Sequence, residues 1–286
     1  MAALIALPAA RVSGAGNEIS ATSTFTATGS IPHAGRLWMG TYGRQFTYDF
    51  KSDSYFPSDG RTFYNATDKR ICSNFCENVL DSNWDVNSGS DAQALDPAIL
   101  TTAGEGICRL VGGNLGNDLA AEDMSALAGP AVHYEAEEGI LKFRCRYKID
   151  DITAVRIFMG YTDVLPSGTL EAPWSLSGTT FTSTASDSCG ILFDTEATTD
   201  TIRMVGVAGD TEGTPIDTAI APVNATWMDV VMRVSVAGLL EVEIDGTDYG
   251  NVAAALTVGT DVVPIVCVLP TGAASRTLDI DFLACS

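Results

Sequence analysis

The stretch 140-ILKFRCRYKID-150 alternates without a break: Leu141, Phe143, Cys145, Tyr147 and Ile149 occupy one set of positions, Lys142, Arg144, Arg146 and Lys148 the other. Successive side chains of a β-strand point to opposite faces, so the segment predicts a strand that is apolar on one side and fourfold basic on the other. Either the basic stripe meets an external polyanion, or neighbouring strands supply carboxylates to it. The second reading is carried by other alternating segments. In 227-WMDVVMRVSVAGLLEVEIDG-246, Met228, Val230, Met232 and Val234 share a face, Ala237-Gly238 turns the chain, and Leu240, Val242 and Ile244 return with Glu241 and Glu243 on the outside. Asp245-Gly246 makes the next turn. The last segment, 277-TLDIDFL-283, places Asp279 and Asp281 outward. Opposite charges across neighbouring strands stabilise a sheet by roughly 0.2–1 kcal/mol per pair. The stripe of Lys142, Arg144, Arg146 and Lys148 is therefore expected to pair with Glu241, Glu243, Asp279 and Asp281, inside the protein or at a subunit contact.

The bulk charge agrees. The 286-residue chain carries a formal net charge of −20, which opposes a surface devoted to nucleic acid or anionic lipid. Residues 1–150 hold 12 basic against 18 acidic side chains (−6), and residues 151–286 hold 4 against 18 (−14). The acidic half is expected to form an outer, non-adhesive surface. No apolar run approaches the roughly 20 residues that span a bilayer. The opening MAALIALPAARVSGAG has no basic residue ahead of its apolar run and reads as part of an N-terminal arm rather than a signal peptide.

Short runs bounded by turn residues recur at Gly106–Val111, Val155–Tyr161, Gly190–Asp194, Thr201–Val207 and Val262–Leu269. Together with the three segments above they predict an all-β antiparallel sandwich or barrel. A short helix is expected over Ile71–Leu80, and 81-DSNWDVNSGSDAQALDP-97 reads as turn-rich, with Trp84 of a buried type. Residues 1–70 lack a sustained period but carry scattered aromatics. The expected division is an arm or small β subdomain over 1–70, with Trp38, Tyr42, Phe46, Tyr48, Tyr55 and Phe56 as its contact residues, and a sandwich over 71–286.

Residues from about 80 to 286 resemble the concanavalin A-like (laminin G/jelly-roll) fold, and more narrowly tailed-bacteriophage virion structural proteins of that fold. The resemblance rests on 84-WDVNSGSDAQALDP-97, 157-IFMGYTDV-164 with Glu171 and Pro173 after it, 189-CGILFDT-195, the Trp227–Gly246 hairpin and 278-LDIDFLA-284. It implies a non-enzymatic capsid decoration or cement protein on the virion surface, assembled in the host cytoplasm. Its implied partners are the major capsid protein or other virion proteins and further copies of itself, with no nucleic acid and no membrane. The rival from another class is a carbohydrate-binding module, for which Trp174 in 171-EAPWSLSG-178 is the candidate glycan platform.

Catalytic chemistry finds little purchase. Laminarinase-like glycosidases of the same broad fold carry Glu-x-Asp-x-x-Glu on one strand, and a retaining pair must sit about 5–5.5 Å apart. Glu243-x-Asp245-x-x-Asp248 copies two positions but ends in Asp, with Gly246 where the strand should continue. His133 has no Gly-x-Ser-x-Gly elbow to serve, and the Gly-rich 112-GGNLGND-118 reads as a turn. No catalytic residue and no cofactor are expected. Calcium is the one ion with candidate ligands, at Asp163, Glu171, Asp187, Asp194 and Asp200, though without EF-hand spacing. Of the seven cysteines, Cys145, Cys189 and Cys267 lie in strand-like runs and read as small buried residues, and Cys72-SNF-Cys76 is the one spacing suited to a disulfide.

Overall fold

In the computed structural model the described residues are 84–100, 106–114, 120–129, 140–164 and 172–285, with Phe75, Leu80 and the backbone of short strands between residues 18 and 73. Elements are numbered in chain order. The first sheet runs, in space, β17 (Thr211–Glu212), β16 (Arg203–Ala208), β15 (Ser188–Asp194), β12 (Val155–Thr162), β22 (Val263–Pro270), β10 (Ser125–Ala128) and β7 (Asp85–Ser88), and β18 (Ile216–Asp217) also pairs with β16. The second runs β21 (Thr247–Val252), β20 (Leu240–Ile244), β19 (Met228–Val234), β11 (Leu141–Ile149), β23 (Thr277–Cys285), β6 (Arg70–Ser73) and β5 (Phe63–Asn65). On the side of β23 that takes β6, its first half pairs instead with β9 (Cys108–Val111), which pairs with β8 (Leu95–Ile99). Every pairing in these two sheets is antiparallel. A hairpin of β13 (Trp174–Ser177) and β14 (Thr180–Ser183) forms a small third layer, and the one described helical turn is α1 (Ala120–Asp123). The backbone of β1 (Glu18–Ile19), β2 (Arg36–Thr41), β3 (Arg44–Asp49) and β4 (Ser54–Pro57) makes a separate four-stranded sheet.

The alternation of β11 is realised residue by residue. Leu141, Phe143, Cys145, Tyr147 and Ile149 are all buried, while every residue between them reaches partial or full solvent exposure. Their buried face meets Ile157, Met159 and Tyr161 of β12 and Ile191 and Phe193 of β15 in one core between the sheets. Phe143 and Tyr161 meet edge to face at 6.0 Å, the geometry the ring quadrupole favours. The polar tips of the buried tyrosines are satisfied: Tyr161 donates to the Lys142 carbonyl at 2.7 Å and Tyr147 to the Met228 sulfur at 3.2 Å.

Three of the four cations on the outer face of β11 meet carboxylates of its two neighbours, while Lys142 stands opposite Arg233 of β19. On β19, Asp229 accepts both arms of the Arg144 guanidinium, at 3.0 and 2.6 Å. On β23, Asp281 takes Arg146 at 2.5 Å, and Asp279 takes Lys148 at 3.6 Å while also holding Arg109 of β9 through two contacts of 2.6 and 2.9 Å. A β-bulge between Arg146 and Tyr147 leaves Asp281 without an opposite residue and sets Phe282 across from Arg146. The extra residue lets both Asp281 and Phe282 stand over the cations, Phe282 with its ring 5.6 Å from the Arg144 guanidinium carbon. Trp227 closes the other side, with Arg146 at 5.2 Å and Lys148 at 4.7 Å from its ring centre, both within cation–π range. The outer carboxylates of β20 are placed differently from expectation. Glu241 stands opposite Arg233 and Glu243 opposite Val231, both on β19, so β19 separates them from the stripe. Asp229, on the intervening strand, has the position that Glu241 and Glu243 were expected to fill.

Two other expectations are corrected. Ile71–Ser73 is strand, not helix, because its backbone pairs with Leu283–Cys285; ladder bonds to a distant strand override local propensity. The remainder of the expected helix, apart from Phe75 and Leu80, lies outside the described residues. The turn-rich segment 81–97 contains β7 and the start of β8, and Trp84, immediately before β7, is buried as expected. Of the expected arm contacts, Trp38, Phe46, Tyr48, Tyr55 and Phe56 fall in strands whose side chains lie outside the described residues, as do Tyr42 and the Cys72–Cys76 pair.

Asp279 has a side chain only 4% exposed between two cations, whereas Asp281 is 32% exposed. Asp279→Ala should cost about 3 kcal/mol, since it strands two charges, and Asp281→Ala less than about 1 kcal/mol. Equal losses in urea unfolding would show that β23 is not held through Asp279.

Candidate functional site

The carboxylate spacing Glu243-x-Asp245-x-x-Asp248 folds as a two-residue hairpin turn between β20 and β21. Asp245 and Gly246 both have positive φ, 49° and 81°, the type I′ geometry whose twist matches antiparallel strands. The Asp245 carboxylate accepts the Asp229 amide at 2.9 Å, and the Asp245 amide donates to the Asp229 carbonyl at 2.8 Å. This turn thereby fixes the start of β19, the residue that pairs with Arg144. Asp248 accepts the Gly250 amide at 2.8 Å. Glu243 and Asp248 are cross-strand neighbours at the sheet edge.

Trp174 is not a platform: it is 0% exposed. The hairpin β13–β14 lies on the outer face of the first sheet and drives Trp174 and Leu176 into Phe158, Leu192, Val205 and Ile265. The Trp174 indole donates to Ser188 Oγ at 3.2 Å, and that hydroxyl donates to the Tyr161 carbonyl at 2.9 Å. Asp194 anchors the same hairpin by accepting the Leu176 amide at 2.8 Å and Arg156 at 2.5 Å, and Arg156 reaches on to Glu196 at 3.0 Å. A Trp in a Pro- and Ser-rich segment looks like a surface residue in sequence, because the layer that covers it is the hairpin it belongs to. Phe181, Trp227 and Tyr249 are half-buried, and among the described residues no aromatic side chain is exposed.

The candidate calcium ligands separate. Asp194 is committed to Arg156, Asp200 is exposed, and Glu171 lies outside the described residues. Asp163 and Asp187 meet across the end of β12, where the Asp163 amide donates to the Asp187 carbonyl at 2.9 Å. Asp187 Oδ1 accepts the amides of Thr257 at 2.7 Å and Gly209 at 3.3 Å. Asp163 Oδ1 is buried with no hydrogen-bond partner among the described residues. Among those residues no three His, Cys, Asp or Glu side chains group as metal ligands. A pair that sequence reading missed is Asp91 and Asp123, both buried. One oxygen of each lies 2.3 Å from where a Cβ on Gly113 would stand. Gly113 is therefore closely packed, and residues 115–118 of the expected turn lie outside the described residues.

Cys108, Cys145, Cys189, Cys267 and Cys285 are all buried free thiols. Burial pushes Cys189 and Cys267 up to about 12 and Cys108 and Cys145 up as well, so these four stay protonated and are poor nucleophiles.

A small open cavity of about 180 Å³ remains, between the hairpin turn at Gly178-Thr179, the loop at Thr198-Thr199 and the β18 edge at Pro215 and Asp217. Leu176 and Phe181 contribute apolar lining and Arg203 a charged group. Arg203 is ion-paired with Asp217 and donates to Thr199 and Thr201. Loss of water pulls Asp217 upward, but the Ala219 amide, Thr201 and Arg203 together hold it below the usual carboxylate value.

Two antiparallel sheets with an apolar core and jelly-roll pairing make this chain a concanavalin A-like sandwich, and solved structures agree. It matches a prokaryotic β-1,3-1,4-glucanase (lichenase) from a mouse hindgut metagenome at TM-score 0.51 and 11% identity, over 76% of this chain and 98% of that one. A Bacillus licheniformis β-glucanase matches at 0.51 and 10%, over 79% and 98%. The carbohydrate recognition domain of Emp47p matches at 0.50 and 10%, over 79% and 96%. At such identity the likeness is one of fold. No protein-family model and no curated protein matches the chain.

Burial, and then the Asp187 charge, raise Asp163 above its ordinary 3.8. A raised acid stabilises the fold below its ordinary value, and that contribution is lost as pH rises through the raised value. Asp163→Asn should therefore melt a few degrees above the parent at pH 7 and level with it near pH 3. A lower melting temperature at pH 7 would show that the Asp163 charge is favourably held.

Proposed function

We propose that this chain is a non-enzymatic structural protein of a virus particle, a decoration or cement module on the capsid surface. The observation that carries the non-enzymatic part is the turn at Asp245-Gly246. The one carboxylate spacing that resembles a glycosidase motif is consumed in backbone geometry, with Asp245 bound to the Asp229 amide. Arg144, Arg146 and Lys148 of the basic stripe are likewise engaged, by Asp229, Asp281 and Asp279. The virion role rests on the resemblance of residues 80–286 and on a strongly acidic C-terminal half suited to an outermost surface. In this reading the segment expected over residues 1–70, with Trp38, Tyr42, Phe46, Tyr48, Tyr55 and Phe56, contacts the major capsid protein or a neighbouring copy, and the protein joins particles assembled in the host cytoplasm. The second reading, a carbohydrate-binding module, is favoured by the cavity beside Phe181 and by the sandwich being one that the Emp47p carbohydrate recognition domain shares.

β5 and β6 complete the second sheet, so the informative truncation removes residues 1–62 and keeps this hairpin. The truncated protein should stay folded and soluble but no longer appear on particles in micrographs with a labelled chain. Full decoration by the truncated protein would place attachment in the sandwich. Incubating the full chain with β-glucan should release no reducing sugar. Release that disappears in Glu243→Gln would overturn the non-enzymatic reading.

A further inference from the structure

The geometry points to the cavity beside Phe181 as a subsite for one neutral, hydroxyl-rich ring, a single monosaccharide unit, and this rests on the carbohydrate-binding reading rather than the virion one. The cavity is small, about 180 Å³ against roughly 300–1,000 Å³ for a typical small-molecule site, which suits a single ring. Its lining is mixed: Phe181 and Leu176 are apolar, and Thr179, Thr198 and Thr199 carry hydroxyls. A pyranose offers the matching surfaces, C–H groups on its face and hydroxyls around its rim.

Charge selects among ring-shaped ligands. Arg203 is 12% exposed and already engaged by Asp217, Thr199 and Thr201, so an anion would have to displace Asp217 to reach it. The body charge of −20 also repels anions at long range. Asp217 is different: its side chain is 48% exposed, and its carboxylate is held in place by Arg203 and the Ala219 amide at 2.8 Å. A carboxylate held at the mouth can accept a ligand hydroxyl, and a hydrogen bond to a charged acceptor is among the stronger kinds. Gly178 at the rim has φ 64° and no atom nearer than 3.9 Å to where its Cβ would stand, so the mouth is open. None of these residues belongs to the Glu243–Asp248 segment, and the cavity lies on the opposite sheet from it.

The test is protein-observed NMR on the full chain with methyl glycosides of glucose, galactose, mannose and N-acetylglucosamine at millimolar concentration. At least one glycoside should shift the methyls of Leu176, Thr198 and Thr199, and the shifts should be lost in Phe181→Ala and weakened in Asp217→Asn. Asp217→Asn keeps the side-chain volume and serves if Phe181→Ala fails to fold. No shift with any of the four, shifts mapping to another surface, or shifts unchanged in both variants would overturn the assignment. Each of those results leaves particle decoration by the same protein as it was, so the two readings fail separately.

Discussion

A strand with four cations on one face can sit in the middle of a sheet only if both neighbours bring carboxylates to that face in register. Here β19 supplies Asp229 and β23 supplies Asp279 and Asp281, and the bulge in β23 places the last of these. Much else follows from that requirement. It puts the C-terminal strand beside β11, which in turn makes room along β23 for β9 and β6. It also explains the Asp245-Gly246 turn, whose carboxylate is tied to the amide of Asp229. The apparent catalytic spacing and the basic stripe meet at Asp229, whose amide donates to Asp245 and whose carboxylate pairs with Arg144.

The first sheet is closed in another way. Its outer face is apolar, at Phe158, Leu192, Val205, Ile265 and Cys267, and would be an adhesive surface if bare. The β13–β14 hairpin covers part of it, with Trp174 as the inserted side chain and Asp194 holding both the hairpin amide and Arg156. Asp194 is fully buried, so removing its partner would leave an uncompensated charge. The cavity beside Phe181 lies at the turn end of this hairpin, where the cover meets the β16–β18 edge.

Strong alternation was legible in the sequence because period-two patterning is a direct imprint of a half-buried strand. β11, β19, β20 and β23 are each within two residues of their expected ends, and Asp279 and Asp281 face the stripe as their positions implied. What could not be read were features set by the partner rather than by the segment. Ile71–Ser73 has little strand signal and becomes β6 through pairing with Leu283–Cys285. Glu241 and Glu243 have the right face but stand one strand too far away, because alternation fixes a face and not a neighbour. Trp174 gave no sign of burial, since the surface it fills is built from β12, β15, β16 and β22. The cavity draws on three segments between residues 176 and 217, none with a motif.

The central claim, that Arg144, Arg146 and Lys148 of β11 are held by carboxylates of the adjacent strands, is tested most directly by exchanging one pair. Arg144 and Asp229 share two contacts, at 3.0 and 2.6 Å. Urea unfolding of Arg144→Asp, Asp229→Arg and the double exchange gives the coupling between the two positions. The account predicts that each single change destabilises strongly, by placing like charges together, and that the double exchange recovers most of the loss. A double variant as unstable as the sum of the two single changes would contradict it.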